Sequence, residues 1–291
     1  MFTVTLLTDP ETPVLERVTV ESLRNAWCGG EARWLDPGVA AEFDLAAVPE
    51  NRWEVWEGLQ ALRVDMVVQP AEERKKHLLI ADMDSTMIRQ ECIDELADEA
   101  GVGARVADIT ARAMNGELDF EGALRERVGL LKGLPEAVIG QVLRDRITLM
   151  PGGEVLLKTM KAQGSYAALV SGGFTAFTSA IAATLGFDEN RANTLHVAGG
   201  KLAGTVAEPI LGKEAKLQAL NEITAQLGIT PAQALAVGDG ANDLPMLLAA
   251  GTGVALHAKP RVQAECEVRV NHGDLTALLF LQGYSRAEFI E

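Results

Sequence analysis

Three short apolar runs, Leu78 to Ala81, Tyr166 to Val170 and Leu235 to Val237, each break off directly into small polar residues. The breaks read Asp82-Met83-Asp84-Ser85-Thr86, Ser171-Gly172-Gly173 and Gly238-Asp239-Gly240-Ala241-Asn242-Asp243. Strand-length runs alternating with helix-length segments imply a parallel sheet with helices on both faces. In open sheets of this kind ligands bind beyond the carboxyl ends of the strands. The expected fold is α/β, a doubly wound parallel sheet on which three reactive loops meet at one edge. From Met87 to Met150 the chain carries Ala, Leu, Arg and Glu at helical spacing with no strand-like run. This predicts a helical cap at about 87–150, inserted after the first strand of the sheet. A cap there would exclude water and select what enters.

The stretch ahead of the first run reads differently. Residues 1–70 hold all four tryptophans, Trp27, Trp34, Trp53 and Trp56, and show a short strand (Phe2 to Thr8) and two helical stretches (about Val14 to Trp27, and Trp53 to Leu62). A small N-terminal α+β domain is expected, its tryptophans used for core and domain contact. The segment Gln69 to Lys76, with a proline and mixed charges, reads as the linker to a second unit over 71–291. At 291 residues and 48% hydrophobic, the chain can bury one large core and a smaller one, with domains of roughly 100 to 200 residues.

Charge and cysteine usage narrow the class. A formal net charge of −15 argues against a nucleic-acid partner, because such binding rests on a basic face. Cys28, Cys92 and Cys266 are odd in number and lack C-x-x-C spacing, so neither a disulfide framework nor a zinc site is suggested. The N-terminus has no basic region ahead of its apolar run and reads as a first strand. No apolar stretch approaches the roughly 20 residues that span a bilayer. A cytoplasmic protein without a membrane partner is expected.

The reactive loops suggest a chemistry. Asp82 and Asp84, two residues apart at a strand end, are joined at the same edge by Asp239 and Asp243. Carboxylates so crowded repel one another without a cation, and few hard oxygen ligands suit Mg²⁺. Asp82, on the strand end itself, can attack phosphorus, splitting a hydrolysis into two displacements through an aspartyl-phosphate. Asp84 can protonate the leaving alkoxide and then deprotonate the attacking water. The Ser171 hydroxyl and the backbone N–H groups of Ser171, Gly172 and Gly173 would cradle the phosphoryl oxygens. A cation would come from Lys213 or Lys216, which share a helical face. An EF-hand is ruled out because Met87 stands where its glycine is required, and a P-loop because Gly212-Lys213 lacks the leading glycine and the following hydroxyl residue.

Asp82-Met83-Asp84-Ser85-Thr86 resembles the D-x-D-S-T signature of phosphoserine phosphatases in the haloacid dehalogenase superfamily. The likeness extends from Leu78 to Leu281, including Gly238 to Met246 and the cap segment Phe120 to Gly133. It implies a Rossmann-type core and Mg²⁺ held by Asp82, the Asp84 carbonyl and Asp239. It also implies Asp82 as nucleophile, Asp84 as acid and base, and Asp243 as a supporting carboxylate. Ser171 and Gly172, with Gly173 in support, match the family's phosphate loop, and Asn242 a position contacting substrate or phosphate. The family's lysine stands 23 residues before the Gly-Asp aspartate, which selects Lys216 over Lys213. Glu91 corresponds to the glutamate facing the substrate amino group, Arg127 to the arginine clamping its carboxylate, and Met114 and Phe120 to apolar cap residues lining the pocket. The segment Glu208 to Gly212 is not aligned with the family pattern. Residues 1–70 lie outside the match, though their alternation is similar to ACT-like domains. The implied activity is hydrolysis of O-phosphoserine in serine biosynthesis. Rival readings are a related phosphatase or phosphotransferase on another small phosphorylated metabolite, and an amino-acid sensor acting through the N-terminal domain. Oligomeric state is left open, a homodimer being compatible.

Overall fold

The computed structural model describes residues 1–114 and 117–291, Met114 through its backbone alone. The N-terminal elements are β1 (Phe2–Leu7), α1 (Arg17–Ala26), β2 (Arg33–Asp36), β3 (Ala40–Leu45), α2 (Arg52–Gln60) and β4 (Asp65–Pro70). They form an antiparallel sheet in the order β2-β3-β1-β4, a split βαβ arrangement. Alternation along β1 divides its side chains between two faces. Val4 and Leu6 join Val20, Leu23, Phe43 and Met66 in a core under the two helices. Leu7, with Leu35, Ala40 and Val67, belongs instead to the large core of the rest of the chain. Both faces of this sheet are therefore covered. The sequence signal for β2 and β3 is weak because each interrupts its apolar residues with charge, and one of those charges is structural. Glu42 is buried and paired to Arg33 and, at 2.7 Å, to Arg74.

The main sheet is parallel, six strands in the order β12-β11-β10-β5-β6-β7. These are β5 (Leu78–Ala81), β6 (Tyr166–Phe174), β7 (Glu189–Asn193), β10 (Ala234–Gly238), β11 (Thr252–Leu256) and β12 (Val268–Val270), with a hairpin, β8 (Leu195–Ala198) and β9 (Lys201–Val206), outside it. Every residue of β5 is buried, as a central strand requires. Leu79 and Ala81 face one side, with Leu235, Val237 and Leu169. Leu78 and Ile80 face the other, with Ala234, Ala236, Leu220 and Ile223. Helices cover both sides: α7 (Gly153–Ala162), α8 (Thr175–Leu185) and α12 (Ala277–Leu281) on the first, and α9 (Lys213–Leu227), α10 (Leu244–Ala249) and α11 (Pro260–Glu265) on the second. The chain runs outward from β5 through β6 to β7 and then returns to β10 on the opposite flank of β5. The order thus reverses between β5 and β10, where open α/β sheets place their ligands.

The cap consists of α3 (Cys92–Glu99), α4 (Gly103–Met114), α5 (Phe120–Leu130) and α6 (Ala137–Asp145). Its two connections run side by side, joined by the Ile88–Leu149 bridge and by the Met150 N–H donating to the Met87 carbonyl at 2.9 Å. Among the described residues no helix is long and apolar enough to cross a membrane.

The stretch Gln69 to Lys76 is less free than its composition suggests. Strand β4 continues to Pro70, the Gln69 amide donates to the Leu281 carbonyl at 2.7 Å, and the Lys76 ammonium donates to the Ala232 carbonyl at 2.9 Å. Trp53 and Trp56 meet edge to face, with the Arg269 guanidinium 3.9 Å from the Trp53 ring centroid, so these two tryptophans serve the contact with β12. Beside them the buried Asp65 carboxylate accepts the backbone N–H groups of Asn271, His272 and Gly273 at 2.9, 2.8 and 2.9 Å. Asp65→Ala strands three backbone donors, that of Gly273 buried and those of Asn271 and His272 partly so, and is expected to cost about 3 kcal/mol. Asp65→Asn should cost less. Thermal denaturation of the full chain checks this, and equal melting temperatures for all three proteins would contradict it.

Candidate active site

The loop after β5 carries two acidic side chains, Asp82 directly at the strand end and Asp84 in the turn that follows, and strand alternation carried past Ala81 turns Met83 to the core. Met83, between them, is fully buried in the core and fixes that alternation. The turn closes through the Met87 N–H on the Met83 carbonyl at 2.9 Å, and Ser85 adopts a left-handed φ of 56°. The Asp82 N–H donates to the Val237 carbonyl at 3.0 Å, stitching the loop to β10.

Lys216 lies at the centre of the site. It is 2% exposed on α9, and its Nζ stands 2.7 Å from Asp82 Oδ1 and 2.5 Å from Asp243 Oδ1. Burial would depress its pKa, but the two carboxylates outweigh burial and hold it above the usual lysine range. Lys213 is exposed, and among the described residues its one ion pair is with Glu214. Asp243 Oδ2 accepts the Gly240 N–H at 2.9 Å. A side chain at Gly238 would collide with Asp243, an added Cβ falling 2.4 Å from Asp243 Cγ, so this approach requires glycine.

Carboxylate oxygens of Asp82, Asp239 and Asp243 all lie within 4.8 Å of one another. Burial pushes the Asp82 pKa well up, Asp243 beside it adds to the rise, and Lys216 opposes it. Burial likewise raises Asp239 to about 6 against the pull of Lys259, whose exposed ammonium is 3.7 Å away. With Asp243 occupied by Lys216 and Gly240, oxygens of Asp82 and Asp239 remain for another partner. Hard carboxylate donors carrying more negative charge than the neighbouring lysine neutralises suit a divalent cation such as Mg²⁺.

The Asp84 carboxylate stands outside that group. Its Oδ1 accepts the Cys92 N–H at 3.0 Å, and Ser171 Oγ is 3.5 Å from its Oδ2. Burial, helped by Glu91, raises its pKa to about 6. Ser171 is buried on β6, and its Oγ accepts the Gly173 N–H at 2.9 Å. The expected cradle of three N–H groups is thus corrected, because the Gly173 donor is spent within the chain. Ser171 to Phe174 is moreover strand rather than loop, bulged against β7. Phe120 of the cap lies over Gly172 and Gly212, 3.2 and 3.5 Å from where their Cβ atoms would be, and Asn242 Nδ2 is 3.8 Å from the former position. Glu91 Oε1 accepts the Ser85 hydroxyl at 2.9 Å. Arg127 is half-buried, its Nε donating to the Ala123 carbonyl at 3.3 Å. Burial lowers its pKa while Asp94 and Glu91 pull it up. Met114 ends α4, and its side chain lies outside the described residues.

Two polar residues at the site went unread in the sequence. Lys259 follows β11 at the same sheet edge, a position its strand-end spacing could have signalled. Asn193 closes β7, is 2% exposed, and bonds both to Gly172 and to the segment leading into α9.

A haloacid dehalogenase-like hydrolase family model matches residues 79–248, which include all but the first residue of β5, and β6, β10 and the cap. The chain belongs to that family. It is 47% identical over 204 residues to a phosphoserine phosphatase of Haemophilus influenzae, covering 70% of this chain and 65% of that one. The chain thus spans just under two thirds of that relative's length. A haloacid dehalogenase family hydrolase from Salmonella enterica serovar Typhi superposes with a TM-score of 0.87 at 33% identity, over 97% of this chain and 98% of that one. A structure described as a phospho-aspartyl intermediate analogue of phosphoserine phosphatase superposes at 0.66 with 42% identity, over 71% of this chain and 98% of that one. The Salmonella likeness, at 97% of the chain, takes in the N-terminal sheet as well as the hydrolase unit.

Proposed function

We propose that this chain is a Mg²⁺-dependent phosphoserine phosphatase, working through an aspartyl-phosphate on Asp82. The observation that carries the reading is the buried Asp82–Lys216–Asp243 array at the end of β5, with Asp84 and Ser171 beside it. The phosphoserine phosphatase relatives support the substrate.

In this mechanism Asp82 attacks phosphorus and the seryl oxygen leaves with the proton of Asp84. The Asp84 carboxylate then takes a proton from water as that water attacks the acyl-phosphate, returning both aspartates to their starting states. A pKa of about 6 puts both forms of Asp84 within reach near neutral pH. Lys216 and the Ser171 hydroxyl meet the charge that spreads over the phosphoryl oxygens. Asp82, the Asp84 carbonyl and Asp239 would hold Mg²⁺, which when bound supplies a further positive charge to the phosphoryl group. Asn242 faces the same group beside Gly172, and Asp243 keeps Lys216 in place. Glu91 and Arg127, brought onto the cap face with Phe120, receive the ammonium and carboxylate of the substrate.

The catalytic unit in this reading is 71–291, with the cap at about 87–150. Residues 1–70 form an ACT-like module packed against it through Leu7, Leu35 and Val67. The reaction would form the last step of L-serine biosynthesis, in the cytoplasm.

Phosphate release from O-phospho-L-serine, O-phosphothreonine and an aryl phosphate, with and without Mg²⁺, tests the proposal. Mg²⁺-dependent turnover selective for phosphoserine is expected. Turnover of the aryl phosphate alone would discard the substrate while keeping the chemistry. Among the described residues Arg127 forms no ion pair of its own. Arg127→Ala is therefore expected to raise KM for phosphoserine about 10-fold or more, and KM for the aryl phosphate by less than about 3-fold. Equal effects on both substrates would remove Arg127 from carboxylate recognition.

A further inference from the structure

The side-chain amide of Asn193 makes three of the four hydrogen bonds open to it, both of its N–H groups being engaged. Its Nδ2 donates to the Gly172 carbonyl at 2.8 Å and to the Leu211 carbonyl at 3.3 Å, while its Oδ1 accepts the Leu211 N–H at 2.8 Å. Two acceptors on one side and a donor on the other admit only one orientation of the amide. The residue is 2% exposed and pairs with Phe174 at the end of the β6–β7 ladder, so the backbone fixes where the amide stands.

Its grip on Gly172 has a consequence at Ser171. The Gly172–Gly173 peptide is planar, so its carbonyl and N–H point opposite ways. With the carbonyl held by Asn193, the N–H is aimed at Ser171 Oγ, which it reaches at 2.9 Å. A hydroxyl that accepts on one side keeps its own hydrogen for an acceptor on another, and Asp84 Oδ2, at 3.5 Å, holds that hydrogen only weakly. A peptide flanked by two glycines turns over easily when nothing holds it, and Asn193 is the side chain that holds this one. The same amide ties the phosphate loop to Leu211, immediately before the helix carrying Lys216.

We propose that Asn193 is a positioning residue for phosphoryl transfer. It locks the Gly172–Gly173 peptide so that Ser171 Oγ presents its hydrogen to the phosphoryl group. The proposal rests on the reading of this site as a phosphatase and concerns the phosphoryl subsite common to any ester it cleaves.

The test uses the full-length protein and the variants Asn193→Ala and Asn193→Asp, alone and combined with Ser171→Ala. All are assayed on phosphoserine and on an aryl phosphate, well below their melting temperatures. Asn193→Asp keeps the acceptor for the Leu211 N–H and loses the donors, so it carries the test if the alanine variant does not fold. Each single variant should lose about 10-fold or more in kcat, by the same factor on both substrates. In the Ser171→Ala background the further loss should be under about 2-fold, because the two residues act as one unit. A kcat per folded molecule within about 2-fold of wild type would overturn the proposal. So would losses that multiply in the double variant, or a loss confined to phosphoserine. Wild-type turnover of the aryl phosphate but not of phosphoserine would discard the substrate assignment, and the comparison would then be read on the aryl phosphate.

Discussion

Asp82→Asn is expected to fold and to release phosphate at no more than about 10⁻⁴ of the wild-type rate. The amide is isosteric with the carboxylate but cannot form an acyl-phosphate, so the first displacement has no nucleophile. Fold should survive, because Lys216 keeps Asp243 at 2.5 Å as its counter-ion and an amide oxygen remains to accept from Lys216. Removing one charge from a group whose oxygens lie within 4.8 Å also relieves repulsion. The melting temperature without divalent cation should therefore be no lower than that of wild type. Phosphate release and circular-dichroism melting measure the two halves separately. Retained activity would end the aspartyl-phosphate mechanism, and a lower melting temperature would show that Asp82 steadies the fold more than it strains it.

How much of this was legible in the sequence varies with the range of the interaction. The three apolar runs announced β5, β6 and β10 because central parallel strands are buried on both faces and leave unbroken hydrophobic stretches. The reactive loops were read from the same signal, since each begins where the apolar run stops. Strands β2 and β3 were not legible. Glu42 and Arg33 look like surface charge until Arg74, far along the chain, buries one of them. Strands β7 and β12 were missed for a related reason, being edge strands that are short or polar. At the site, the choice between Lys213 and Lys216 could not be made from local sequence, as both sit on one helical face. Their environments separate them: one meets two buried aspartates, the other solvent. Asn193 shows the limit most plainly. Its partners lie 18 and 21 residues away, and a lone asparagine after an alanine carries no motif, so only the paired β6–β7 ladder places it against Gly172.

Lys216→Met is expected to damage fold and catalysis together, and the two losses can be told apart. In the wild type one ammonium serves two carboxylates in a pocket closed to solvent, and each partner is costly to leave alone. Removing one member of a buried ion pair costs about 3–5 kcal/mol, because the remaining charge stays desolvated. Here two remain. Burial and the neighbouring Asp243 already push the Asp82 pKa up, with Lys216 as the opposing influence, so the substitution pushes it higher. A carboxyl whose folded pKa exceeds its unfolded value binds more protons folded than unfolded. Its stabilising effect is present at low pH and is lost as pH rises from the unfolded value toward the folded one. The variant should accordingly lose more stability between about pH 5 and about pH 8 than the wild type does. Mg²⁺ should raise its melting temperature by more than it raises that of the wild type, since a divalent cation at Asp82 and Asp239 offsets charge that Lys216 no longer balances. Activity should fall about 100-fold or more even where Mg²⁺ restores the fold, because the donor to the phosphoryl oxygens is gone. Melting curves across pH with and without Mg²⁺, set beside kcat at a temperature where the variant is folded, separate these effects. A variant as stable as wild type at both pH values would mean that Lys216 is not the charge holding Asp82 and Asp243 together.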